Sequence, residues 1–208
     1  MIVIWKEEER SMAEKKILVT GFEPFGGETI NPAWEAVRIL PETIGDYRVE
    51  RMQVPTVFQK AYELAAARAE ELDANAILCV GQAGGRDAVT PERVGINLRD
   101  ASIPDNAGNQ PSEQPIAADG PAAYFSTLPV ARMAKAIRDA GLPGRVSNTA
   151  GTFVCNDLLY SLLHHFADRA LPVGFVHVPY LPEQAKNGQP SLALEDIAKA
   201  LTAAIEAM

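Results

Sequence analysis

Five short runs along the chain are apolar or alternate apolar with polar residues, and each is bounded by Gly, Pro or Asn: KKILVTG, RVERMQVP, ANAILCVG, GRVSNTA and PVGFVHVP. Runs of this length and bounding read as strands. Between them lie segments with helical spacing. PAWEAVRIL starts from Asn31 as N-cap with Pro32 at the first helical position, a pairing that suits a helix start. TVFQKAYELAAARAEEL, LPVARMAKAIRDAG, the stretch after Cys155 and the terminal LALEDIAKALTAAIEAM supply the other helices. Alternating strands and helices with short connections predict a single α/β domain: an open, twisted, mostly parallel sheet with helices on both faces. From Gly81 to about Pro121 the chain is instead rich in Gly, Pro, Asn and Asp, with one extended piece in RVGINLRDA. Long irregular insertions in compact domains are commonly functional.

Composition narrows the picture. At 208 residues, 47% hydrophobic and 22% charged, the chain suffices for one continuous core. Net charge is −8, and the basic residues are scattered, so nothing favours a nucleic-acid backbone. Cys79 and Cys155 are the two cysteines and form no CxxC, which argues against a disulfide framework or thiolate metal site and for a reducing cytoplasm. The opening MIVIWKEEERS holds too short an apolar run for a signal core or membrane span. Residues 1–11 read as a poorly ordered extension before Met12, and residues 12–208 as the domain.

Two Gly-rich turns, GFEPFGG and GQAGGR, lack the spacing of phosphate-binding loops, and neither a GxSxG elbow nor an HExxH pair occurs. Cys155 is the remaining candidate nucleophile. On a helix it shares a stripe with Leu158, Leu159, Leu162 and Phe166, the pattern of a packed thiol. The preceding NTAGT turn, with Thr152 as a cap, instead sets it in a first helical turn, where free N–H groups favour a thiolate or hold an oxyanion. His164 is nine residues on, about 13.5 Å along a helix and near the opposite face, so it cannot serve Cys155. His165 is further still, and both read as solvated positions at the helix end. His177 lies at the carboxyl end of a strand, the edge where α/β folds place their sites. Alternation puts it on a face with Val173 and Phe175, which a hydrogen-bonded core histidine would also satisfy. An acid to orient the ring could be Glu92 in TPERVG, with Asp87 and Asp100 as competitors.

KKILVTGFEPFGGETINPAWEAV, CVGQAGGRDAVTPERVGINLRDASIPDNAGNQP, SNTAGTFVCNDLLY and GFVHVPYLPEQ together resemble the pyrrolidone-carboxylate peptidase family of cysteine peptidases, from about Met12 to the C-terminus. The resemblance implies an open α/β sheet, no metal or organic cofactor, and a homodimer or homotetramer. It implies a cysteine hydrolase of the cytoplasm that removes N-terminal pyroglutamyl residues from peptides through a thioester. It also implies Cys155 as nucleophile, His177 as base and Glu92 as orienting acid, with Phe22, Phe25, Asn31 and Gln82 around the pyroglutamyl ring. Aromatic walls and a few amides suit a compact neutral lactam. Many members read DARIPDN where this chain has DASIPDN, so Ser102 replaces an arginine near the site. Two other readings stay open: a phosphorolytic nucleoside-cleaving enzyme of similar fold, and a catalytically silent pyroglutamyl-binding protein.

Overall fold

The computed structural model describes residues 14–208; the expected N-terminal extension, residues 1–11, lies outside the described residues. Strand β1 (Lys15–Phe22) forms the middle of the sheet, paired in parallel with β3 (Tyr47–Val54) on one side and β4 (Ala76–Gln82) on the other. Parallel β8 (Val173–Val178) follows β4. Antiparallel two-residue strands β2 (Thr43–Ile44) and β5 (Thr90–Pro91) close the edges, giving the order β2-β3-β1-β4-β8-β5. Such short edges limit pairing with another chain. A separate hairpin joins β6 (Val94–Ile96) to β7 (Ala123–Phe125).

The central strands are buried on both faces, so alternate residues feed two cores. Ile17 and Val19 of β1, Leu78 and Val80 of β4, and Val176 and Val178 of β8 face one layer. Helices α1 (Pro32–Arg38), α3 (Val130–Asp139) and α5 (Leu194–Glu206) cover that layer with residues such as Val37, Ile137 and Leu201. Leu18 and Phe22, Ile77 and Cys79, and Val173 and Phe175 face the other. Helices α2 (Lys60–Leu72) and α4 (Val154–His165) cover this side with residues such as Ala65, Leu158 and Leu162. The α/β class with helices on both faces is the one the periodicity predicts.

Three local expectations fail for local reasons. GRVSNTA is not a strand, because it makes only isolated bridges, Val89 to Gly144 and Glu92 to Ser147. Helix α2 begins at Lys60 rather than near Thr56, since Thr56 is tied instead to the Glu23 carbonyl and carboxylate. Thr152 does not cap α4. The cap position is Phe153, with no side-chain bond, and the Thr152 hydroxyl donates to the Asp100 carbonyl at 2.7 Å.

What replaces a cap is a pair of fully buried polar residues in the first turn of α4. The Asn156 side chain accepts from Ile96 N at 2.9 Å and donates to the carbonyls of Ile96 at 2.9 Å and Leu98 at 3.0 Å. Asp157 accepts from Gln59 N and from Arg99 Nε, both at 2.6 Å. These bonds hold the irregular middle segment and the approach to α2 against the start of α4. Replacing Asn156 with Ala strands backbone groups in the interior, at about 1–3 kcal/mol for each unmet group. With three groups at the low end of that range, about 3 kcal/mol in all, Asn156→Ala should lower the melting temperature by about 6–12 °C, at roughly 2–4 °C per kcal/mol for a chain of this size; an unchanged calorimetric midpoint would refute this anchoring.

Candidate active site

The chain leaves β1 toward β3 on one side and leaves β4 toward β8 on the other. Open α/β sheets form a ligand crevice at such a reversal, beyond the carboxyl ends of the strands. The first turn of α4 sits over this edge. A Cβ built on Gly81 would lie 2.9 Å from Cys155 Sγ and 2.7 Å from Phe175 Cζ, so helix and strand meet where no side chain intervenes. Gly81 is the partner of His177 in the β4·β8 register. Phe175 and His177 share a strand face, with ring centroids 4.7 Å apart. The Cys155 sulfur and the imidazole thus occupy the same face of two neighbouring strand ends.

Glu92 arrives from the sheet edge. Thr90 pairs with His177 across β5 and β8, and Glu92 N donates to the Phe175 carbonyl at 2.8 Å. Glu92 is fully buried and His177 is 4% exposed. His177 Nδ1 lies 2.7 Å from Glu92 Oε1. A carboxylate only accepts, so Nδ1 carries the proton and Nε2 is left as the basic nitrogen. The same Oε1 accepts from Arg86 at 2.6 Å, and Glu92 Oε2 has no protein partner. The competing acids lie elsewhere: Asp87 is exposed and paired with Arg145, and Asp100 is exposed.

Burial sets the protonation of the pair. It pushes the Cys155 thiol up to about 12; the Glu92 charge adds to the rise, while Arg86 and the backbone N–H of Cys155 oppose it. Burial also lowers His177 below the ordinary imidazole value, with Arg86 in the same direction, against the pull of Glu92. The resting pair is therefore a neutral thiol beside a neutral imidazole. Cys79 is likewise raised to about 12 by burial, so position rather than acidity separates the two thiols. Cys79 is fully buried in β4, whereas Cys155 keeps an open side.

Of the four residues expected around a ligand, two are half-buried and two are buried. Phe25 is half-buried, with its ring 6.1 Å from that of Phe153, the residue that caps α4. Gln82 is half-buried and accepts from Gln184 Nε2 at 3.2 Å. Phe22 is only 2% exposed and packs beneath, 6.3 Å from the Phe175 ring. Asn31 is 1% exposed, accepting from Ala33 N at 3.0 Å as the cap of α1 and donating to the Glu23 carbonyl at 3.0 Å. His164 and His165 stand apart from this cluster. Each bonds a tyrosine hydroxyl at 2.9 Å, Tyr124 and Tyr62 respectively, with His165 exposed and His164 half-buried in the last turn of α4.

The sequence reading passed over Phe58, Phe153 and Arg86. Phe58 stands edge-on to Phe153 at 5.3 Å, extending the aromatic wall. The signal for Phe153 was its place two residues before the thiol. Arg86 ends GQAGGR, where the Gly-rich spacing and Gln82 stand out in the sequence and the arginine does not. Among the described residues no helix is long and apolar enough to cross a membrane.

The profile of the pyroglutamyl peptidase family matches residues 15–208. The chain is 52% identical over 197 residues to the pyrrolidone-carboxylate peptidases of Bacillus mycoides and Brevibacillus brevis, covering 92% of each chain. Its fold superimposes on the crystal structure of Bacillus amyloliquefaciens pyroglutamyl peptidase I with a TM-score of 0.89 at 48% identity, covering 93% of this chain and 96% of that one. The pyrrolidone carboxyl peptidase of Thermococcus litoralis gives 0.88 at 37% identity, covering 93% and 92%. The chain belongs to the pyroglutamyl peptidase family of cysteine hydrolases.

Proposed function

We propose that Cys155, His177 and Glu92 carry the pyroglutamyl peptidase activity of this chain, the removal of an N-terminal pyroglutamyl residue from a peptide. The observation that carries this reading is the meeting of three segments at one strand edge: Cys155 Sγ over Gly81, His177 beside it, and Glu92 Oε1 2.7 Å from His177 Nδ1. Phe25 and Phe153 form the wall for the lactam, and the Gln82 amide reads its polar edge. Phe22 and Asn31 support this wall from beneath, through Phe175 and through the loop carbonyl of Glu23.

The thiol and imidazole start neutral, so nucleophile activation is a proton transfer at the moment of attack. His177 Nε2 takes the Cys155 proton as sulfur bonds to the pyroglutamyl carbonyl carbon. Glu92 stabilises the imidazolium. Free N–H groups in the first turn of α4, including that of Cys155, accommodate the oxyanion. As the tetrahedral centre collapses, the C–N bond breaks and Nε2 returns the proton to the departing amine. Water then adds to the thioester, giving its proton to Nε2. The C–S bond breaks, the thiol is reprotonated, and pyroglutamate leaves.

The chain is further proposed to work in a reducing cytoplasm as a homodimer or homotetramer. Phe125, 72% exposed on β7, is the most open large apolar side chain among the described residues and a natural element of a subunit contact. Light scattering should give a mass of two or four chains at micromolar concentration; a monomer would remove the assembly proposal alone.

Cys155→Ala should keep the melting profile and lose at least about a thousandfold in release of a pyroglutamyl-linked fluorophore. Turnover near that of the unsubstituted protein would sink the nucleophile assignment, and retained turnover that requires phosphate would favour phosphorolysis. A silent binding protein would show binding of a pyroglutamate analogue without any turnover. The pH profile supplies an independent check. His177 must be neutral to accept the proton, and its value lies below the ordinary 6.5. Log kcat/KM should thus be level through neutral pH and fall only as pH drops below 6.5; an acid limb centred above 7 would contradict the neutral pair.

A further inference from the structure

We propose that Arg86 is a positioning residue for the reaction: its guanidinium fixes the Glu92 carboxylate against His177 and ties that carboxylate to the turn leading into Cys155. This rests on the proposed roles of Cys155, His177 and Glu92. Its observable consequences differ from theirs.

The GQAGGR turn sets the position of Arg86. Ala83 N still donates to the Val178 carbonyl at 2.9 Å as β4 ends. A side chain at Gly84 would collide with Tyr180, with a Cβ only 2.2 Å from the ring. Gly85 takes a φ of +83°, where a Cβ is strained, and Arg86 N bonds back to the Ala83 carbonyl at 3.3 Å. The two glycines therefore reverse the chain tightly beside the strand end. What the turn delivers is a guanidinium rather than a phosphate cradle.

The Arg86 side chain is 25% exposed, and its fork joins two segments, residues 90–92 and the turn at Thr149. One nitrogen donates to Thr90 Oγ1 at 2.5 Å and to Glu92 Oε1 at 2.6 Å. The other donates to the Thr149 carbonyl at 3.1 Å. Thr149 sits in the turn that feeds α4, and its hydroxyl accepts from Gly151 N at 3.1 Å. The acid and the nucleophile-bearing turn are thus joined through one planar group. A lysine, as a point charge on a flexible stem, cannot make that fork.

Charge gives Arg86 a second effect. The groups set against His177 are Glu92 after β5, Arg86 after β4 acting through its charge, and the neutral Thr90 and Phe175; Cys155 from α4 lies over Gly81, the register partner of His177. With Glu92 buried, Arg86 is the cation that balances it. Its charge opposes protonation of His177 and favours ionisation of Cys155. Ser102 is exposed and neutral. Without Arg86 only burial would oppose the Glu92 charge, and the His177 ring would keep its proton to higher pH.

The test compares Arg86→Gln and Arg86→Lys with the unsubstituted protein across a pH series, using a pyroglutamyl-linked fluorophore. Arg86→Gln should lose tenfold or more in kcat with KM within about threefold, and its acid limb should move to higher pH. Arg86→Lys keeps the charge and loses the fork, so its limb should stay in place while kcat falls several-fold. An Arg86→Gln protein whose acid limb does not move overturns the proposal, whatever its kcat, because a merely structural role lowers activity without moving the limb. If Arg86→Gln fails to fold, Arg86→Lys decides alone: an unmoved limb with reduced kcat supports the role, and an unreduced kcat or a displaced limb overturns it. Should Cys155→Ala remain active, the reading of the site itself has failed; should Cys155→Ala be inactive while Arg86→Gln behaves like the parent, only this inference has failed.

Discussion

The structure turns on the absence of a side chain at Gly81. Helix α4 can start directly over the end of β4 only because nothing fills the space between the Cys155 sulfur and the Phe175 ring. That close approach fixes which strand the helix serves. Since Gly81 is also the register partner of His177, it fixes which histidine the sulfur can meet. The fully buried Asn156 and Asp157 then hold the helix at this height by bonding the middle segment and the approach to α2. A buried hydrogen-bond set of this kind is costly to leave half satisfied, so the position of the thiol is tied to the packing of segments far away in sequence.

The second constraint is electrostatic. A fully buried carboxylate is expensive unless it is paired, and Glu92 has two partners on one oxygen, His177 and Arg86. Burial opposes charge on both the thiol and the imidazole. The ion pair of Glu92 with Arg86 therefore carries the charge here, while Cys155 and His177 are held neutral by burial. On the proposed mechanism the imidazolium exists only while substrate is being attacked, and Glu92 is already oriented to receive it. No reorganisation of the acid is then required during the step.

The fold class was legible because the central strands and the helices carry strong, opposite periodicities. Alternation along β1, β4 and β8 assigns residues to two cores, as the packing of Val19 against one layer and Leu18 against the other illustrates. Helical geometry alone removed His164 and His165 from the neighbourhood of Cys155. The long-range pairings were not legible. Glu92 could not be separated from Asp87 or Asp100 by composition, because what distinguishes it is an edge strand of only two residues against β8. Phe22 and Phe25 look equivalent in GFEPFGG, yet one ends a strand and points into the core while the other lies in the loop beyond it. Arg86 was hidden for a similar reason: a Gly-rich turn announces a tight reversal but not what it carries.

The same economy of charge bears on substrate choice. An ordinary peptide terminus carries an ammonium, and drawing it into a partly desolvated aromatic pocket requires a free anion to receive it. Two carboxylates of this region, Glu92 and Glu23, are already committed. Glu92 serves His177 and Arg86, and Glu23 accepts from Thr56 N at 3.1 Å and Asn106 Nδ2 at 2.8 Å. A pyroglutamyl ring has no such charge to neutralise. Its lactam needs only apolar walls and a few amide partners, the roles proposed above for Phe25, Phe153 and Gln82. Discrimination then arises less from tight recognition of the lactam than from the cost of burying an unpaired ammonium in its place.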